Sequence, residues 1–466
     1  MRNIGIVGSG ISGLLAGLGL LKLGCKTTVY SELSAQDWLD KVPPTGTAAR
    51  FASSLDVERS LGVAHWDDQV PQMEGIHLTF CPKPGRQLLD MLARFSRWGT
   101  AVDVRLQSHR WTNDFVARGG KFEHVKVDVG RLDEIAAEHE LVIVAAGKGD
   151  IGRLFPRDEA RSVYDKPQRM LSLSTVKNVN MNRYEDGIPF KSPVKFNFFG
   201  SEGEAFWVPF LHKSGAQTYS LVFEAKDGRA LDRYRHIKNG RELLEVQKKL
   251  VKELMPWDWR WIKDGELADE LGWLIGAFTP QVKKPVGRLP SGRIAMAIGD
   301  TVNPMDPVGG QGANNNYRFL PILFAAVDAR GDRPFDAAWI EATFDDYYRR
   351  SAVHTNRFNN MLLEPLSTAG KLVLMAQYGS DGRGDNRTAA QLLANCFAEN
   401  FDNPTLYTDC FLETAKAKAL IERMSGKPWW QTVLPAAGRV AAGQFRQTLG
   451  WKRSSHPLAT MKPLVN

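Results

Sequence analysis

The pattern of apolar and polar positions at the start of the chain predicts a β-strand, a helix and a second strand. Residues 3–7 form a short apolar run and residues 14–23 a longer run of helical length. Residues 26–30, rich in β-branched residues, predict a second strand that ends near Glu32. Glycine-rich sequence separates the first run from the second, and Gly24 closes the helix. This order is that of a βαβ unit, the building block of a Rossmann-like domain.

The turn inside this unit has the glycine spacing of a dinucleotide-binding site. Gly8, Gly10 and Gly13 permit, in that order, a tight turn, close approach of backbone to a pyrophosphate, and packing of helix on strand. The start of the helix then offers free N–H groups and a positive dipole end to the phosphates. Glu32, nineteen residues after Gly13, stands where a carboxylate can bond a ribose. The alternative is a glycine-rich turn without a ligand.

Two further apolar runs predict strands that end beside the same ligand. Residues 141–147 are continuously apolar and end in small residues, as in a parallel strand buried on both faces. Residues 293–298 predict another strand, which leads into Gly299, Asp300 and a loop of prolines and glycines before a helix near Ala313. Asp300 can bond a ribityl hydroxyl or lie near the pyrophosphate, and the loop can bring N–H groups to flavin N1 and the C2 carbonyl. Together the two loops predict FAD.

The middle of the chain has a different pattern. Short runs rich in β-branched and aromatic residues, separated by glycine-bearing turns, predict an antiparallel sheet. Helical spacing predicts a helix over 241–255, stopped by Pro256. The predicted strands are 170–176, 194–199, 204–211 and 219–223, with an edge strand at 121–127; further helices are predicted at 88–95, 108–117, 336–361 and 389–398.

These elements predict an α/β fold with an α+β insertion. A Rossmann-like FAD-binding domain is formed by residues 1–165 and 271–335, and an antiparallel-sheet substrate domain by residues 166–270. Residues 336–466 form a helical C-terminal region with a basic tail.

Composition narrows the class of protein. The 466 residues are enough for more than one domain. Four scattered cysteines without C-x-x-C spacing argue against zinc and disulfides and favour a reducing cytoplasm. The isolated histidines have no metal or triad spacing, so no metal site is predicted. The fingerprint begins too early for a signal peptide, and no apolar run can span a bilayer, so we expect a cytoplasmic protein without membrane association.

The net charge of +8 is concentrated at the C-terminus. Residues 411–466 contain nine Lys and Arg against two Glu, a net charge of +7, and the remainder is nearly neutral. This distribution does not indicate nucleic-acid binding. The tail also contains Trp429, Trp430, Phe445 and Trp451. It is either a helix docked on the protein with solvated charges, or a surface for an acidic partner or anionic lipid.

The chain resembles the oxygenase component of the two-component styrene and indole monooxygenases, within the wider fold of FAD-dependent aromatic hydroxylases. The most specific match is Asp306-Pro307-Val308 followed by Gly310-Gln311-Gly312-Ala313-Asn314. Other matches run in order along the chain, at residues 5–10, 28–30, 101–106, 117–122, 146–148, 166–169, 299–300 and 400–404.

The resemblance implies an enzyme, a flavin-dependent monooxygenase. It takes reduced FAD from a separate NADH-dependent flavin reductase, reacts it with O₂ to a C4a-peroxyflavin, and epoxidises or hydroxylates a small aromatic or heteroaromatic substrate. The nicotinamide-binding Asp-Gly motif usual in the aromatic-hydroxylase fold is missing, because residues 148–152 are Lys-Gly-Asp-Ile-Gly. A self-sufficient NAD(P)H hydroxylase, a flavin-binding interaction protein without turnover, and a homodimer stay open.

The predicted site follows from the loops and the resemblance. The residues expected to act at the reacting flavin, mainly through backbone, are Pro307, Val308, Gly309 and Gly310. The predicted cofactor-binding residues are Gly8, Gly10, Ile11, Ser12, Gly13, Glu32, Arg105, Ala146, Gly147, Gly299, Asp300, Pro307, Gly310, Gln311, Gly312, Ala313 and Asn314. The predicted substrate-binding residues are Gly46, Ala48, Arg50, Phe198, Trp207 and Pro209. The inserted sheet is expected to supply the pocket walls, which also include Phe196, Phe206, Val208 and Phe210, and the alternative for these residues is ordinary sheet core.

One stretch departs from the family pattern. Where the styrene branch has Asn, Val and His at alternate positions and the indole branch has Ser, Gln and Met, this chain has Gly46, Ala48 and Arg50. Substrate identity is therefore open. Arg50 can hold an anionic substrate group or the flavin phosphates, or it can be a surface or salt-bridged arginine.

A second motif suggests another enzyme class. Trp257-Asp258-Trp259-Arg260-Trp261-Ile262 resembles the Trp-x-Trp-x-Ile-Pro signature of flavin-dependent halogenases, but residue 263 is lysine instead of proline. The run follows a predicted helix outside the flavin site, so we interpret it as a structural cap.

Overall fold

The computed structural model describes residues 1–46, 49–146, 149–179, 190–382 and 388–448. The chain forms two compact units. The first unit contains residues 1–68, 102–168 and 278–356, and the second contains residues 69–101, 169–277 and the chain from Arg357 onward.

The strands, in chain order, are β1 Asn3–Val7, β2 Lys26–Ser31, β3 Ala49–Arg50, β4 Met73–Cys81, β5 Leu89–Ala101, β6 Lys121–His124, β7 Leu141–Val144, β8 Met170–Lys177, β9 Val194–Phe199, β10 Gly203–Leu211, β11 Gln217–Ala225, β12 Glu266–Leu267, β13 Trp273–Gly276, β14 Val286–Arg288 and β15 Ile294–Ala297. The helices are α1 Ile11–Lys22, α2 Ala35–Asp40, α3 Ala52–Ser60, α4 Val104–Ala117, α5 Val129–Glu138, α6 Gly149–Arg153, α7 Gly240–Leu254, α8 Trp259–Ile262, α9 Gln311–Arg330, α10 Ala337–Tyr347, α11 Val353–Leu363, α12 Thr368–Ala376, α13 Ala389–Asp402, α14 Thr408–Leu412, α15 Thr414–Ser425 and α16 Trp429–Thr448.

The first unit is built on a sheet with strand order β14-β15-β7-β1-β2-β6. Strand β1 lies parallel to both β2 and β7, and β15 lies parallel to β7. The four residues of β7 are all buried, which is why their sequence is continuously apolar. The carboxyl ends of β1, β7 and β15 therefore meet at one edge, where doubly wound sheets bind their ligands. The prediction of an α/β fold with a Rossmann-like unit is confirmed.

The second unit is built on a sheet in which β12, β8, β11, β10, β9, β4 and β5 are successive neighbours. Pairing is antiparallel except between β4 and β9. Strands β8 to β11 match the runs that predicted an inserted sheet. One face packs on α7, whose Leu243, Leu250 and Leu254 are buried in the same cluster as Trp207 and Phe223.

The structure corrects one element prediction. Residues 88–95 do not form a helix; β5 runs from Leu89 to Ala101 and pairs with β4 along most of its length. Leu89, Met91 and Ala93 alternate with residues of the opposite face, and the long-range pairing outweighs the helical propensity of the local sequence.

The two units also divide the chain differently from the predicted boundaries. Residues 69–101 belong to the second unit, because β4 pairs with β9. Residues 336–356 belong to the first unit, where Phe344 and Tyr347 pack on Phe319 of α9 with ring centroids 6.2 and 4.3 Å away. Throughout the described ranges, no helix combines the length and apolar character needed to cross a membrane.

Candidate flavin-binding site

The first glycine turn connects β1 to α1 with its helix start directed at open space. The Gly8 amide donates to the Tyr30 carbonyl oxygen at 2.9 Å, which ties the turn to β2. A side chain at Gly13 would overlap the Gly8 carbonyl oxygen, so this close packing requires glycine. At Gly10, which caps α1, an added Cβ would have no described protein atom within 4 Å. This open space is where the sequence predicts the pyrophosphate.

The end of β7 lies against this turn, as predicted. A Cβ at Gly8 would be 2.8 Å from the Ala146 Cβ. Gly147, the next predicted cofactor residue, lies outside the described residues. Glu32 is exposed directly after β2, and its backbone carbonyl accepts a hydrogen bond from His124 Nε2 at 3.0 Å. Its side chain is thus accessible to a ribose.

The second glycine loop meets the first at the start of α1. Residues Gly299–Thr301 form a 3₁₀ turn after β15, and a side chain at Gly299 would overlap the Ser12 hydroxyl. Asp300 is exposed at this junction, and a Cβ at Gly312 would be 3.6 Å from its Oδ1. The structure therefore brings together the two loops that predicted the two halves of FAD.

The loop before α9 separates into an accessible edge and a buried interior. Pro307, Gly310, Gly312 and Ala313 are partly exposed, whereas Val308, Gly309, Gln311 and Asn314 are buried. The Asp306 carboxylate accepts from the Val308 amide at 3.2 Å, and Gln311 Nε2 donates to the Gly309 carbonyl at 2.8 Å. The accessible residues can present backbone to a flavin, and the buried ones shape the loop from inside.

Asn314 clamps this loop to residues 49–54. Its Nδ2 donates to the Ala49 carbonyl at 2.8 Å and to the Gly310 carbonyl at 2.6 Å. Its Oδ1 accepts from the Phe51 amide at 3.0 Å and from the Ser54 hydroxyl at 2.7 Å. The amide therefore has a positioning role, which the glycine motif alone could not reveal because its partners Ala49, Phe51 and Ser54 are at least 260 residues away along the chain.

Arg50 is a buried member of an ion pair. Its side chain is 1% exposed, and its Nε lies 2.6 Å from Glu58 Oε1. Arg50 Nη1 also donates to Gln107 Oε1 at 3.2 Å, and the Tyr317 hydroxyl donates to the same Glu58 oxygen. Of the alternatives for this residue, the structure favours the salt-bridged one. Glu58 and Tyr317 carried no recognisable sequence motif.

Burial controls the protonation chemistry of this cluster. Desolvation raises the pKa of the Glu58 carboxyl, and the Arg50 guanidinium and Tyr317 hydroxyl oppose that shift. Burial, followed by the nearby Glu58 charge, raises the pKa of the Tyr317 phenol well above its ordinary value. The phenol therefore stays a hydrogen-bond donor.

Arg105, a predicted cofactor residue, is also internal. It is fully buried near the start of α4, and its Nε and Nη2 form a forked pair with the Asp103 carboxylate at 2.9 and 2.7 Å. Its role toward FAD stays a prediction.

The predicted substrate wall is divided between the two faces of the second unit's sheet. Phe198 pairs opposite Glu204 and stacks on Phe80 and Phe196, with centroids 5.6 Å away in each case. Trp207 is fully buried on the other face, in the cluster formed with α7. Because side chains alternate along a strand, Pro209 shares the face of Trp207, and Phe206, Val208 and Phe210 share that of Phe198. The predicted residues therefore lie on both faces of the sheet, and their role toward a substrate stays a prediction.

The tryptophan-rich run has a structural role in the second unit. Trp257, Trp259 and Trp261 pack against the cluster beneath the sheet. Asp258 is buried and accepts from Trp207 Nε1 at 2.9 Å and Asn197 Nδ2 at 2.7 Å. These bonds attach the run to β9 and β10, which supports its interpretation as a cap.

The remaining predicted residues fall in or near the first unit's loops. Gly46 is described and has open space around an added Cβ, whereas Ala48 lies outside the described residues. Among described residues, no group of three or more His, Cys, Asp or Glu is arranged to hold a metal ion.

The residues present fit FAD. The paired loops leave open space at Gly10 and expose the carboxylate of Asp300. The twenty-residue helix α9 begins beside them, with Gly312 partly exposed in its first turn. Such a helix start stabilises negative charge on a bound ligand.

Comparison with known proteins finds that the chain is similar to styrene monooxygenases. Residues 147–260 match the family described as the styrene monooxygenase A putative substrate binding domain. The chain is 26% identical over 421 residues to styrene monooxygenase StyA of Pseudomonas fluorescens, covering 88% of this chain and 95% of that protein. It is 28% identical over 320 residues to StyA of Pseudomonas sp, covering 67% and 74% respectively.

Solved structures share the fold at low sequence identity. A flavoprotein/dehydrogenase from Cytophaga hutchinsonii is 13% identical with a TM-score of 0.59, covering 90% of this chain and 98% of that one. The flavin-dependent halogenase CmlS is 14% identical with a TM-score of 0.57, covering 96% and 78%. The likeness to halogenases is one of fold alone. It does not change the interpretation of the tryptophan-rich run as a structural cap.

Proposed function

We propose that the chain receives its FAD already reduced. It is a flavin-dependent monooxygenase that binds FAD and is similar to styrene monooxygenases. A separate NADH-dependent flavin reductase supplies the reduced cofactor. The enzyme then uses O₂ to transfer one oxygen atom to an electron-rich double bond or ring of a small aromatic or heteroaromatic substrate. The observation that carries the proposal is the pairing of two FAD-type loops with no second dinucleotide fingerprint in the sequence.

The chain's contribution is binding, orientation and exclusion of water. Reduced FAD supplies the electrons and the centre at which O₂ is activated. The Gly310 N–H already donates to the Pro307 carbonyl at 2.8 Å, so Gly312 at the start of α9 would offer its N–H group, and the helix its positive dipole end, to a reduced flavin ring. Val308 and the ring of Phe51 make this side of the loop apolar. Val308 is buried, and a Cβ added at Gly310 would be 3.8 Å from the Phe51 ring. We assign to Pro307, which is partly exposed, the role of shaping the face at which oxygen reacts.

The ion pair between Arg50 and Glu58 affects which substrates this residue could bind. Its guanidinium is paired with buried Glu58, so a carboxylate or sulfonate substrate would have to compete with that partner. We therefore propose a neutral aromatic alkene or heteroaromatic ring, of the styrene or indole kind, as the substrate. Gly46, on the same segment, has no described protein atom within 4 Å of an added Cβ.

The source of the electrons is tested by mixing the purified protein with FAD and excess NADH without oxygen. We expect the flavin absorbance to persist, and to bleach only when a flavin reductase is added. Rapid bleaching by NADH or NADPH alone would contradict the proposal and identify a self-sufficient hydroxylase. Dithionite, which reduces FAD directly, is the control for a working anaerobic assay.

A further inference from the structure

The hairpin between β10 and β11 contains a histidine with a polar partner on each ring nitrogen. His212 directly follows β10, and its side chain is 4% exposed. Its Nε2 lies 2.7 Å from Oδ2 of Asp269, and its Nδ1 lies 2.8 Å from the Ser214 hydroxyl. Asp269 is 57 residues away along the chain, which is why the spacing of the histidines in the sequence does not indicate a triad.

The contacts of His212 decide which of its two ring nitrogens carries the proton. The Ser214 backbone N–H donates to Nδ1 at 3.2 Å, so this nitrogen is an acceptor and is unprotonated. The proton of the neutral ring is therefore on Nε2, which donates it to the Asp269 carboxylate. This is the arrangement of a serine nucleophile, a histidine base and an orienting carboxylate, with the two ring nitrogens exchanged relative to the serine proteases.

Backbone hydrogen bonds hold both the histidine and the carboxylate in place. The His212 amide donates to the Ala216 carbonyl at 2.9 Å, and the Gly215 amide donates to the His212 carbonyl at 2.9 Å, which closes the hairpin turn. On the other segment, Asp269 Oδ1 accepts from the Leu271 amide at 3.0 Å, which leaves Oδ2 directed at the imidazole. The two groups are therefore fixed relative to each other, as cooperation in a proton transfer requires.

The serine is at the surface, whereas the histidine beneath it is buried. Residues 214–217 are exposed at the tip of the hairpin, so a carbonyl compound can reach the Ser214 hydroxyl from solvent. The Ala216 N–H donates weakly to this hydroxyl at 3.5 Å. When Oγ becomes bonded to a carbonyl carbon, the same N–H is close enough to donate to the oxyanion on that carbon. Because the tip is open to solvent, the site suits small acyl groups that need no enclosing pocket.

We propose that Ser214, His212 and Asp269 form a second catalytic site, which hydrolyses small carboxylic esters. Ser214 Oγ bonds to the ester carbonyl carbon, and its proton passes to His212 Nδ1. The bond from that carbon to the alcohol oxygen breaks, and the alcohol leaves with the proton. Water then attacks the acyl-serine in the same way, which releases the carboxylic acid and restores the hydroxyl. Asp269 is a positioning residue, which orients the ring and stabilises the imidazolium.

The test is labelling of the full-length chain with a fluorophosphonate, followed by mass spectrometry of the modified peptide. The reagent bonds its phosphorus to the serine oxygen and loses fluoride, so it reports the nucleophile directly. We expect modification of Ser214 and none of Ser201, which is also exposed but bonds Glu202 at 2.9 Å in the turn between β9 and β10. His212→Gln should lower the rate of labelling at least about a hundredfold, the usual contribution of a general base.

Variants of the other two residues separate catalysis from structure. Asp269→Asn should lower the rate of labelling at least about tenfold, and Asp269→Glu, which keeps the carboxylate, should recover part of that rate. Ser214→Ala should lose the hydrolysis of p-nitrophenyl acetate, whereas the matched control Ser201→Ala should keep it. Circular dichroism shows that each variant is folded under the assay conditions.

Three results would overturn the proposal. Labelling of Ser214 no faster than that of Ser201 would leave the serine as a structural partner of the histidine in the turn. Equal labelling of Ser214 in the parent chain and in folded His212→Gln would show that the imidazole is not a base. Ester hydrolysis that persists in Ser214→Ala would assign that activity to another group. The assays contain no flavin, so their results are independent of the proposed monooxygenase reaction.

Discussion

Replacing Gly10 with valine should abolish binding of reduced FAD while leaving the protein folded. Gly10 has a φ of −79°, which any L-residue adopts, and an added Cβ meets no described protein atom within 4 Å. The protein therefore tolerates the side chain, but the side chain occupies the space predicted for the pyrophosphate. We expect at least about a hundredfold loss of affinity, equivalent to about 2.7 kcal/mol, measured by anaerobic titration with reduced FAD.

The matched control for this variant is Gly200→Val. Gly200 lies in the turn between β9 and β10, and an added Cβ there also meets nothing within 4 Å. Both variants should melt near the temperature of the parent chain. If Gly10→Val binds reduced FAD normally, the first glycine turn is not the pyrophosphate site.

Breaking the Arg50–Glu58 ion pair should be among the most destabilising single changes in the first unit. Both side chains are almost fully buried, at 1 and 2% exposure, so Arg50→Leu leaves an uncompensated carboxyl beside Tyr317. Removing one partner of a buried pair costs about 3–5 kcal/mol. We expect a loss of this size in urea unfolding of Arg50→Leu, and little change for Arg241→Leu, whose ion pair with Glu270 is exposed.

The double variant Arg50→Leu/Glu58→Leu should recover much of this loss, because no buried charge is left alone. Adding Tyr317→Phe removes the phenol that would otherwise lack its partner. The folded double variant should also bind reduced FAD as tightly as the parent chain. If FAD affinity falls in the double variant although stability recovers, Arg50 is a cofactor ligand and its proposed structural role is wrong.

The Arg50–Glu58 pair also predicts how the stability of the protein changes with pH. Burial raises the pKa of Glu58 above its unfolded value, so the folded chain binds the proton more tightly and stability falls as pH rises through the folded-state pKa. Without the Arg50 charge this pKa rises further. The deficit of Arg50→Leu relative to the parent chain should therefore shrink toward acid pH and grow toward neutral pH.

Features that depend on neighbours in the sequence were predictable. The turn at Gly8 to Gly13 combines strand, glycines and helix within a few residues, so its fold and ligand class could be recognised locally. The loop at Gly299 and Asp300 was recognisable in the same way. Its contact with Ser12 follows from parallel strands that end at one edge of a sheet.

Features that depend on pairing with other segments of the chain could not be predicted from the local sequence. Residues 88–95 formed a strand because β4 supplied its hydrogen bonds, which the local sequence does not encode. The aromatic runs of β9 and β10 were predicted to line the substrate pocket, but the local sequence does not show that Phe198 and Trp207 lie on opposite faces of the sheet. The roles of Asn314 and Glu58 were hidden because each depends on partners supplied by other segments.

Product analysis with FAD reduced in advance shows directly whether the chain transfers oxygen to a neutral substrate without NADH or a reductase. The protein, photoreduced FAD and isotopically labelled O₂ are mixed separately with styrene, indole and an aryl carboxylate, without NADH or reductase. We expect one labelled oxygen atom in the product of a neutral substrate, and none in the aryl carboxylate. Formation of hydrogen peroxide alone with every substrate, by folded protein that binds reduced FAD, would contradict this expectation.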